Sequence, residues 1–188
     1  MQTLTVDVFL SVDGWAGGAV SPGCFGYFGP ELEAWITSEL ALPQRVLLGR
    51  RTYEALAAPP EEARDASWLR MSQLDKVVFS TTLETTPSWP NTRICRGDLV
   101  AEVRRLKDHG DLPLRTMGSL SVARHLCGAG LVDRLRLMTF PLFAGETGRE
   151  PFFAGMAAAD LELVGHRALD GRVLLLEYRP TGRDIPRA

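Results

Sequence analysis

Hydrophobic and polar residues alternate with two different periods along this chain. Short apolar runs rich in β-branched residues predict strands, the first over residues 4–12. In other segments apolar residues recur every three or four positions, as they do on one face of a helix. Leu32, Trp35 and Ile36 begin such a stripe in a helix predicted from 31 to about 42. Further strands are predicted at 45–49, 75–80, 92–95, 112–116, 135–143, 161–168 and 172–178, and further helices at 50–57, 99–107 and 119–127.

The order of these elements predicts an α/β fold. Strands and helices alternate up to about residue 130, which indicates a parallel sheet with helices on both faces. Asp170-Gly171 between the last two strands is typical of a hairpin turn, so we expect an antiparallel C-terminal hairpin. Residues 58–72, rich in Pro, Ala and Glu, are interpreted as an excursion over the surface. No segment has the composition of a linker, so we expect a single domain over residues 1–188.

Composition narrows the class of protein. The 188 residues are 45% hydrophobic and 23% charged, as in ordinary globular proteins, and the net charge of -2 does not favour nucleic acid. No apolar run approaches the roughly 20 residues of a membrane span, and the N-terminus lacks the basic start of a signal peptide. Three cysteines and three histidines show no disulfide or metal-ligand spacing. We therefore expect a cytoplasmic protein without a metal, a nucleic-acid partner or a membrane.

Three predicted strands end in residues suited to binding a nucleotide. They are Gly49-Arg50-Arg51-Thr52, Ser80-Thr81-Thr82 and Met117-Gly118-Ser119-Leu120. Glycine lets a ligand approach the backbone, and free N–H groups at a helix start attract phosphate, as arginine does. Each turn alone also fits a simpler interpretation: a tight turn with solvated arginines, a hydroxyl-stabilised turn, or a helix N-cap. Because ligands of α/β sheets bind at the carboxyl ends of strands, the three turns together predict a dinucleotide lying across the sheet.

The order of several motifs resembles bacterial proteins of the dihydrofolate reductase-like superfamily, and most of all the reductase family of riboflavin biosynthesis. The motifs are SVDGWAGG, LLGRRTYE, KVVFSTT, SWPNTRI, MGSLSVARHL and GLVDRLRLMTFPLFAGETGREPFF, within residues 3 to 178. The resemblance implies a three-layer dihydrofolate reductase-like fold with a mostly parallel central sheet. It also implies hydride transfer from NADPH to a pterin, an aminopyrimidine or a similar heterocycle. Like related reductase domains, the chain is expected to form a homodimer through the strand near 134–140.

The resemblance assigns roles to individual residues. The first and third turns match those that hold the phosphates, pyrophosphate and nicotinamide of the cofactor, and the second matches the strand end that grips the adenosine 2′-phosphate. The implied cofactor residues are Gly49, Arg50, Arg51, Thr52, Ser80, Thr81, Thr82, Gly118, Ser119 and Leu120. Asp13 and Gly14 match the loop that borders the nicotinamide.

A carboxylate on the first helix protonates the pterin in dihydrofolate reductase, and that position falls near Glu33. We therefore expect Glu33 and Asp13 to take part in catalysis. Asp13, Glu33 and Trp15, whose ring could stack on a flat heterocycle, are expected to border the substrate. Glu39 lies within the apolar stripe of the same helix, where burial would favour a neutral carboxyl. Both glutamates also fit ordinary surface positions of a helix.

The chain departs from the riboflavin reductases at several positions. It lacks the zinc deaminase motif, which excludes a bifunctional enzyme of that pathway. Residues 7–10 contain no lysine before the Ser11-Val-Asp13-Gly14 motif, and Tyr53-Glu54 follow Thr52 in place of an Asp-Pro step. Two alternatives therefore stay open: a dihydrofolate reductase-type pterin reductase, and a sensor or resistance protein that binds a nucleotide or heterocycle without turnover.

Overall fold

The computed structural model describes residues 1–18, 23–57, 59–60, 62, 64–84 and 88–185. Within these residues the chain forms ten strands and five α-helices. The strands are β1 (Leu4–Ser11), β2 (Trp15–Gly18), β3 (Arg45–Gly49), β4 (Asp75–Phe79), β5 (Thr92–Cys95), β6 (Leu114–Met117), β7 (Arg134–Phe140), β8 (Gly148–Pro151), β9 (Leu161–Leu169) and β10 (Val173–Pro180). The helices are α1 (Pro30–Leu40), α2 (Arg50–Ala57), α3 (Ala66–Gln73), α4 (Leu99–His109) and α5 (Leu120–Gly128).

Eight strands form one twisted sheet in the order β5-β4-β3-β6-β1-β7-β10-β9. The first six are parallel to their neighbours, whereas β10 runs antiparallel to β7 and β9 antiparallel to β10. The Asp170-Gly171 turn joins these last two strands with positive φ at both residues, 52° and 65°. The predicted α/β class, the mostly parallel sheet and the antiparallel hairpin are confirmed. A separate antiparallel ribbon pairs β2 with β8.

Helices cover both faces of the sheet and divide the core into layers. On one face, Leu32 and Trp35 of α1 pack on Met138 and Phe140 of β7, and α2 and α3 cover β3 and β4. On the other face, α4 and α5 cover β1, β3 and β6. The buried strands β1, β3 and β4 are mostly apolar along their length, which is why they were recognisable as strands.

Three elements, β2, α3 and β8, were not predicted. Residues 66–72 of the predicted excursion over the surface belong to α3, whose residues are exposed or half-buried. Residues 58, 61 and 63 lie outside the described residues. Asp65 caps the helix by accepting a hydrogen bond from the N–H of Trp68 at 2.8 Å. Trp68 and Met71 pack against the α2 side of the core. The described helices span at most 11 residues, and none is long and apolar enough to cross a membrane.

Candidate functional site

A cavity of about 1140 Å³ opens at the carboxyl ends of β3, β4, β5 and β6. It continues between α1 on one side and α2 and α3 on the other, over the face of the sheet that these helices cover. The residues predicted to bind the cofactor all line it: Gly49, Arg50, Arg51, Thr52, Ser80, Thr81, Thr82, Gly118, Ser119 and Leu120. The fold therefore brings the three turns to one opening, which we call the rim.

The first and third turns of the rim are joined by hydrogen bonds. The Ser119 hydroxyl accepts from the N–H of Gly49 at 2.8 Å, and the Ser119 N–H donates to the Thr52 hydroxyl at 3.1 Å. Gly118 has a φ of 63°, and a Cβ there would lie 3.4 Å from Cγ2 of Thr52. Ser119 also adopts a left-handed conformation, with a φ of 57°. This turn thus keeps the backbone exposed to a ligand and fixes the start of α5 against α2.

The second turn of the rim is shaped by its own serine. The Ser80 hydroxyl accepts from the N–H groups of Thr82 at 3.2 Å and Leu83 at 2.9 Å. The Ser80 N–H donates to the Cys95 carbonyl at 3.1 Å, which fastens the turn to the neighbouring strand. Thr81 and Thr82 are exposed as a result. The hydroxyls of Thr81 and Thr82 can therefore meet a ligand, and the Ser80 hydroxyl, which accepts both of these bonds, can still donate its own hydrogen.

Three arginines give the rim a positive character. Arg50 is paired with Glu54 at 3.0 Å, one turn along α2. Arg51 has 86% of its side chain exposed and lies 3.8 Å from Glu150, while Arg124 lies 3.4 Å from the same glutamate. Exposed pairs of this kind contribute little to stability and exchange their partners readily. The rim can therefore offer guanidinium groups to phosphate oxygens.

Beyond the rim, the cavity narrows into an apolar space that we call the inner chamber. Its walls come from α1, α3 and β1, through Trp35, Ile36, Leu40, Met71 and Phe9. The guanidinium of Arg70 on α3 donates to the carbonyls of Leu40 and Ala41, which ties α3 to the end of α1. Such a space suits a flat ring system.

Four charged side chains form a network at the floor of the inner chamber, which we call the quartet: Asp7, Glu39, Arg115 and Arg136. Asp7 accepts hydrogen bonds from Nε of Arg115 and, at 2.7 Å, from Nε of Arg136. Oε2 of Glu39 lies 3.1 Å from Nη1 of Arg115 and 2.8 Å from Nη1 of Arg136. Two positive and two negative groups thus compensate each other within one buried unit.

Arg136 keeps its positive charge despite burial. Burial by itself lowers the pKa of the Arg136 guanidinium, but the carboxylates of Asp7 and Glu39 outweigh it and raise that pKa. Both guanidinium groups also lie against the Trp35 ring, at 5.6 Å for Arg115 and 5.2 Å for Arg136 from the ring centre. The quartet therefore orients Trp35, which lines the chamber.

Sequence reasoning missed most of the quartet. The apolar stripe did place Glu39 on the inner face of α1, but the residue lies between two guanidinium groups rather than in apolar surroundings. Arg136 was not recognised as a buried residue, and the structure buries it. A usable signal was present: Asp7 interrupts an apolar strand, and a charged residue in a buried strand needs a partner of opposite sign.

The predicted catalytic and substrate residues lie outside the cavity lining. Asp13 accepts hydrogen bonds from the Ser11 hydroxyl at 2.6 Å and from the N–H groups of Ala144 and Gly145. These bonds, that of Ser11 foremost, lower the pKa of Asp13 to about 2.

Trp15 packs on the backbone of Gly148, where an added Cβ would meet its ring. Glu33 is exposed on α1. The roles of Asp13, Trp15 and Glu33 stay predictions, and the neighbouring Ala16 and Gly17 do line the cavity.

Solved structures of the same fold share little sequence with this chain. A putative riboflavin biosynthesis protein from Shewanella sp. PV-4 is 16% identical, with a TM-score of 0.71 over 96% of this chain and 99% of that one. A diaminohydroxyphosphoribosylaminopyrimidine deaminase/5-amino-6-(5-phosphoribosylamino)uracil reductase from Thermotoga maritima is 14% identical, with a TM-score of 0.68 over 95% of this chain and 56% of that one. Dihydrofolate reductase from Enterococcus faecalis, complexed with NADP(H), is 14% identical, with a TM-score of 0.63 over 95% and 96%. These matches show a dihydrofolate reductase-like fold.

The family is shown by sequence over most of the chain. No curated protein matches it significantly. The family model of the RibD C-terminal domain, however, matches residues 2–175. That span includes the three rim turns, the inner chamber and all four members of the quartet. The chain therefore belongs to the RibD C-terminal domain family.

Proposed function

We propose that this protein is an NADPH-dependent reductase that transfers a hydride to a small heterocycle, most like the aminouracil reductases of riboflavin biosynthesis. The observation that carries the proposal is the assembly of three distant turns around one opening that leads into an apolar chamber. The family is one of NAD(P)H-dependent reductases that act on small heterocycles. The cavity volume of about 1140 Å³ suits two ligands that meet, the cofactor at the rim and the ring in the chamber.

The rim residues fit a dinucleotide phosphate. Gly118 presents bare backbone at the start of α5, and Arg50 and Arg51 stand at the start of α2, which suits a pyrophosphate. Ser80, Thr81 and Thr82 would receive the 2′-phosphate. When bound, the nicotinamide supplies the hydride, and the protein's part is to orient the two ligands and to exclude water.

Titration with NADPH and NADH tests the cofactor. Tryptophan fluorescence is a suitable readout because Trp35 lines the cavity. We expect saturable binding with a preference for NADPH, and we expect Ser80→Asp to weaken that preference through like-charge repulsion of the 2′-phosphate. Thr181→Asp, near the C-terminus and outside the cavity lining, is the matched control. Equal affinity for the two cofactors, unchanged in Ser80→Asp, would place the phosphate elsewhere.

The two alternative functions, a dihydrofolate reductase-type enzyme and a binding protein without turnover, predict different results in activity assays. A dihydrofolate reductase-type enzyme requires Glu33 as proton donor, so Glu33→Gln should then abolish dihydrofolate turnover. Full turnover in that variant would remove the assignment. Asp13→Asn tests in the same way whether Asp13, in the loop at the end of β1, takes part in catalysis: its loss should then abolish turnover. The non-catalytic alternative would be lost if any pterin or aminopyrimidine were reduced by NADPH at more than a trace rate.

We also propose a homodimer through the face of β7, β10 and β9 that α4 and α5 leave uncovered. Leu161, Leu163 and Leu174 are exposed there, and β9 is an edge strand. An apolar edge of this kind favours pairing with another sheet. Sedimentation should give a particle of twice 20.7 kDa at micromolar concentration. Leu163→Glu should yield the monomer, and a wild-type monomer would contradict the proposal.

A further inference from the structure

We infer that the ring bound in the inner chamber belongs to an uncharged molecule without a phosphate group. The inference deepens the proposed function, because it takes the inner chamber as the substrate end of the reductase site. It starts from the charges on the cavity wall. Among the described lining residues, the inner chamber has two charged side chains, Asp7 and Arg115, and both are members of the quartet.

All three nitrogens of the Arg115 guanidinium are engaged inside the protein. Its Nε and Nη2 are bonded to Asp7, while Nη1 lies 3.1 Å from Glu39 and 3.5 Å from Gln44. Its side chain is 8% exposed. A phosphate that paired with Arg115 would compete with these bonds, and it would leave Asp7 and Glu39 with Arg136 as their remaining cation. Breaking a buried ion pair on one side is strongly unfavourable.

The charges around Arg115 also disfavour a phosphate in the inner chamber. The quartet has no net charge, so it does not attract an anion, and the carboxylates of Asp7 and Glu39 would lie close to any phosphate placed beside Arg115. The remaining wall is apolar, through Trp35, Ile36, Leu40 and Met71. Moving a phosphate from water into such surroundings without a cation is costly. An uncharged aromatic ring, by contrast, gains contact with the Trp35 face.

The rim shows what a phosphate site in this protein looks like. Arg51 is exposed and held by a single long contact, so a phosphate can recruit it without leaving a buried carboxylate alone. In the proposed reductase these rim cations serve the cofactor. The reductase from T. maritima is named for a phosphoribosyl substrate. This chain is therefore expected to differ from that relative in substrate charge while sharing its fold.

Matched pairs of ligands test the inference. Pterin, lumazine and aminouracil nucleosides would be titrated with and without a 5′-phosphate, by tryptophan fluorescence and at saturating NADPH. We expect at least one uncharged member to bind, and its phosphate ester to bind at least about tenfold more weakly. The inference is overturned if the ester of any pair binds as tightly as its parent or more tightly, or if no uncharged member binds.

Glu39→Gln tests the physical cause. The substitution keeps the shape of the side chain and leaves the quartet with one excess positive charge. We expect the ester to gain about tenfold in affinity relative to its parent. Glu162→Gln, which breaks the exposed pair with Arg179 on β9 and β10, is the control and should change neither affinity. An unchanged ratio in Glu39→Gln would show that the quartet does not select against phosphate. If Glu39→Gln does not fold, the ligand pairs measured with the wild-type protein decide whether the inference holds.

The inference and the proposed function fail in different ways. Binding of an uncharged ring without binding of NADPH would remove the reductase and keep the inference. Reduction of a phosphate ester by NADPH would remove the inference and keep the reductase.

Discussion

The rim and the inner chamber both contain arginines, and these arginines differ in every property that matters for binding. Arg51 of the rim is 86% exposed, whereas Arg115 of the chamber is 8% exposed. Arg50 pairs with Glu54 one helical turn away and Arg51 has a single long contact, while Arg115 is bonded to two carboxylates. The comparison teaches that a cation in a cavity is a binding group only if its hydrogen bonds are free to be exchanged.

The largest effect is expected from Asp7→Ala, which leaves Arg115 and Arg136 with Glu39 alone. Removing one partner of a buried ion pair costs about 3–5 kcal/mol, and we expect the free energy of unfolding in urea to fall by that amount. Glu162→Ala removes the carboxylate of an exposed pair and should cost less than about 1 kcal/mol. If the two variants lost the same stability, the distinction between buried and exposed charges would be wrong.

A smaller loss is expected from Ser119→Ala in the rim. The variant leaves the N–H of Gly49 without its acceptor, which costs about 1–3 kcal/mol when the group is shielded from water. NADPH affinity should fall as well, because the start of α5 is no longer fixed against α2. Ser67→Ala, on α3 and outside the cavity lining, is the matched control. Thermal unfolding measures the loss of stability, and NADPH titration measures the loss of affinity. If Ser119→Ala and its control had the same unfolding midpoint and the same NADPH affinity, the prediction would be wrong.

Arg51→Ala should change binding without changing stability. We expect NADPH affinity to fall by about fivefold to tenfold at low ionic strength, with the midpoint of thermal unfolding unaltered. Because Arg51 is exposed, the difference from wild type should shrink as salt is added. Arg179→Ala, on the far side of the sheet, controls for the change in net charge. A loss that is independent of salt would argue against a direct contact with phosphate.

The smallest effect concerns Asp13, which belongs to neither region. Its pKa is lowered from 3.8 to about 2, so its contribution to stability is complete above about pH 4. That contribution is lost as the pH falls through about 2, because the proton that binds must break the hydrogen bonds to Ser11 and to the backbone. The stability difference between wild type and Asp13→Asn should therefore narrow on acidification. A difference that stayed constant from pH 5 to pH 2 would contradict this account.

The sequence by itself determined most of the strands and helices and the three turns of the rim. Those features are local. The apolar runs of buried parallel strands, the periodic stripe of α1 and the Gly118-Ser119 turn are each encoded within a few consecutive residues. The Asp170-Gly171 hairpin was predictable for the same reason, since two adjacent residues adopt positive φ. The resemblance to a family then assigned all three turns to the binding of one cofactor.

Only the tertiary structure decided what lines the inner chamber. The four residues of the quartet, at positions 7, 39, 115 and 136, come from β1, α1, β6 and β7 in that order. They meet only when the sheet and its helix are assembled. Helix α3 was missed because its apolar residues are few and gain their stability by packing on the core. Asp13 is held by the Ser11 hydroxyl and by backbone N–H groups of residues 144 and 145, and the last two contacts could not be read from the sequence. A turn is determined by its own residues, whereas a buried charge is determined by its distant partners.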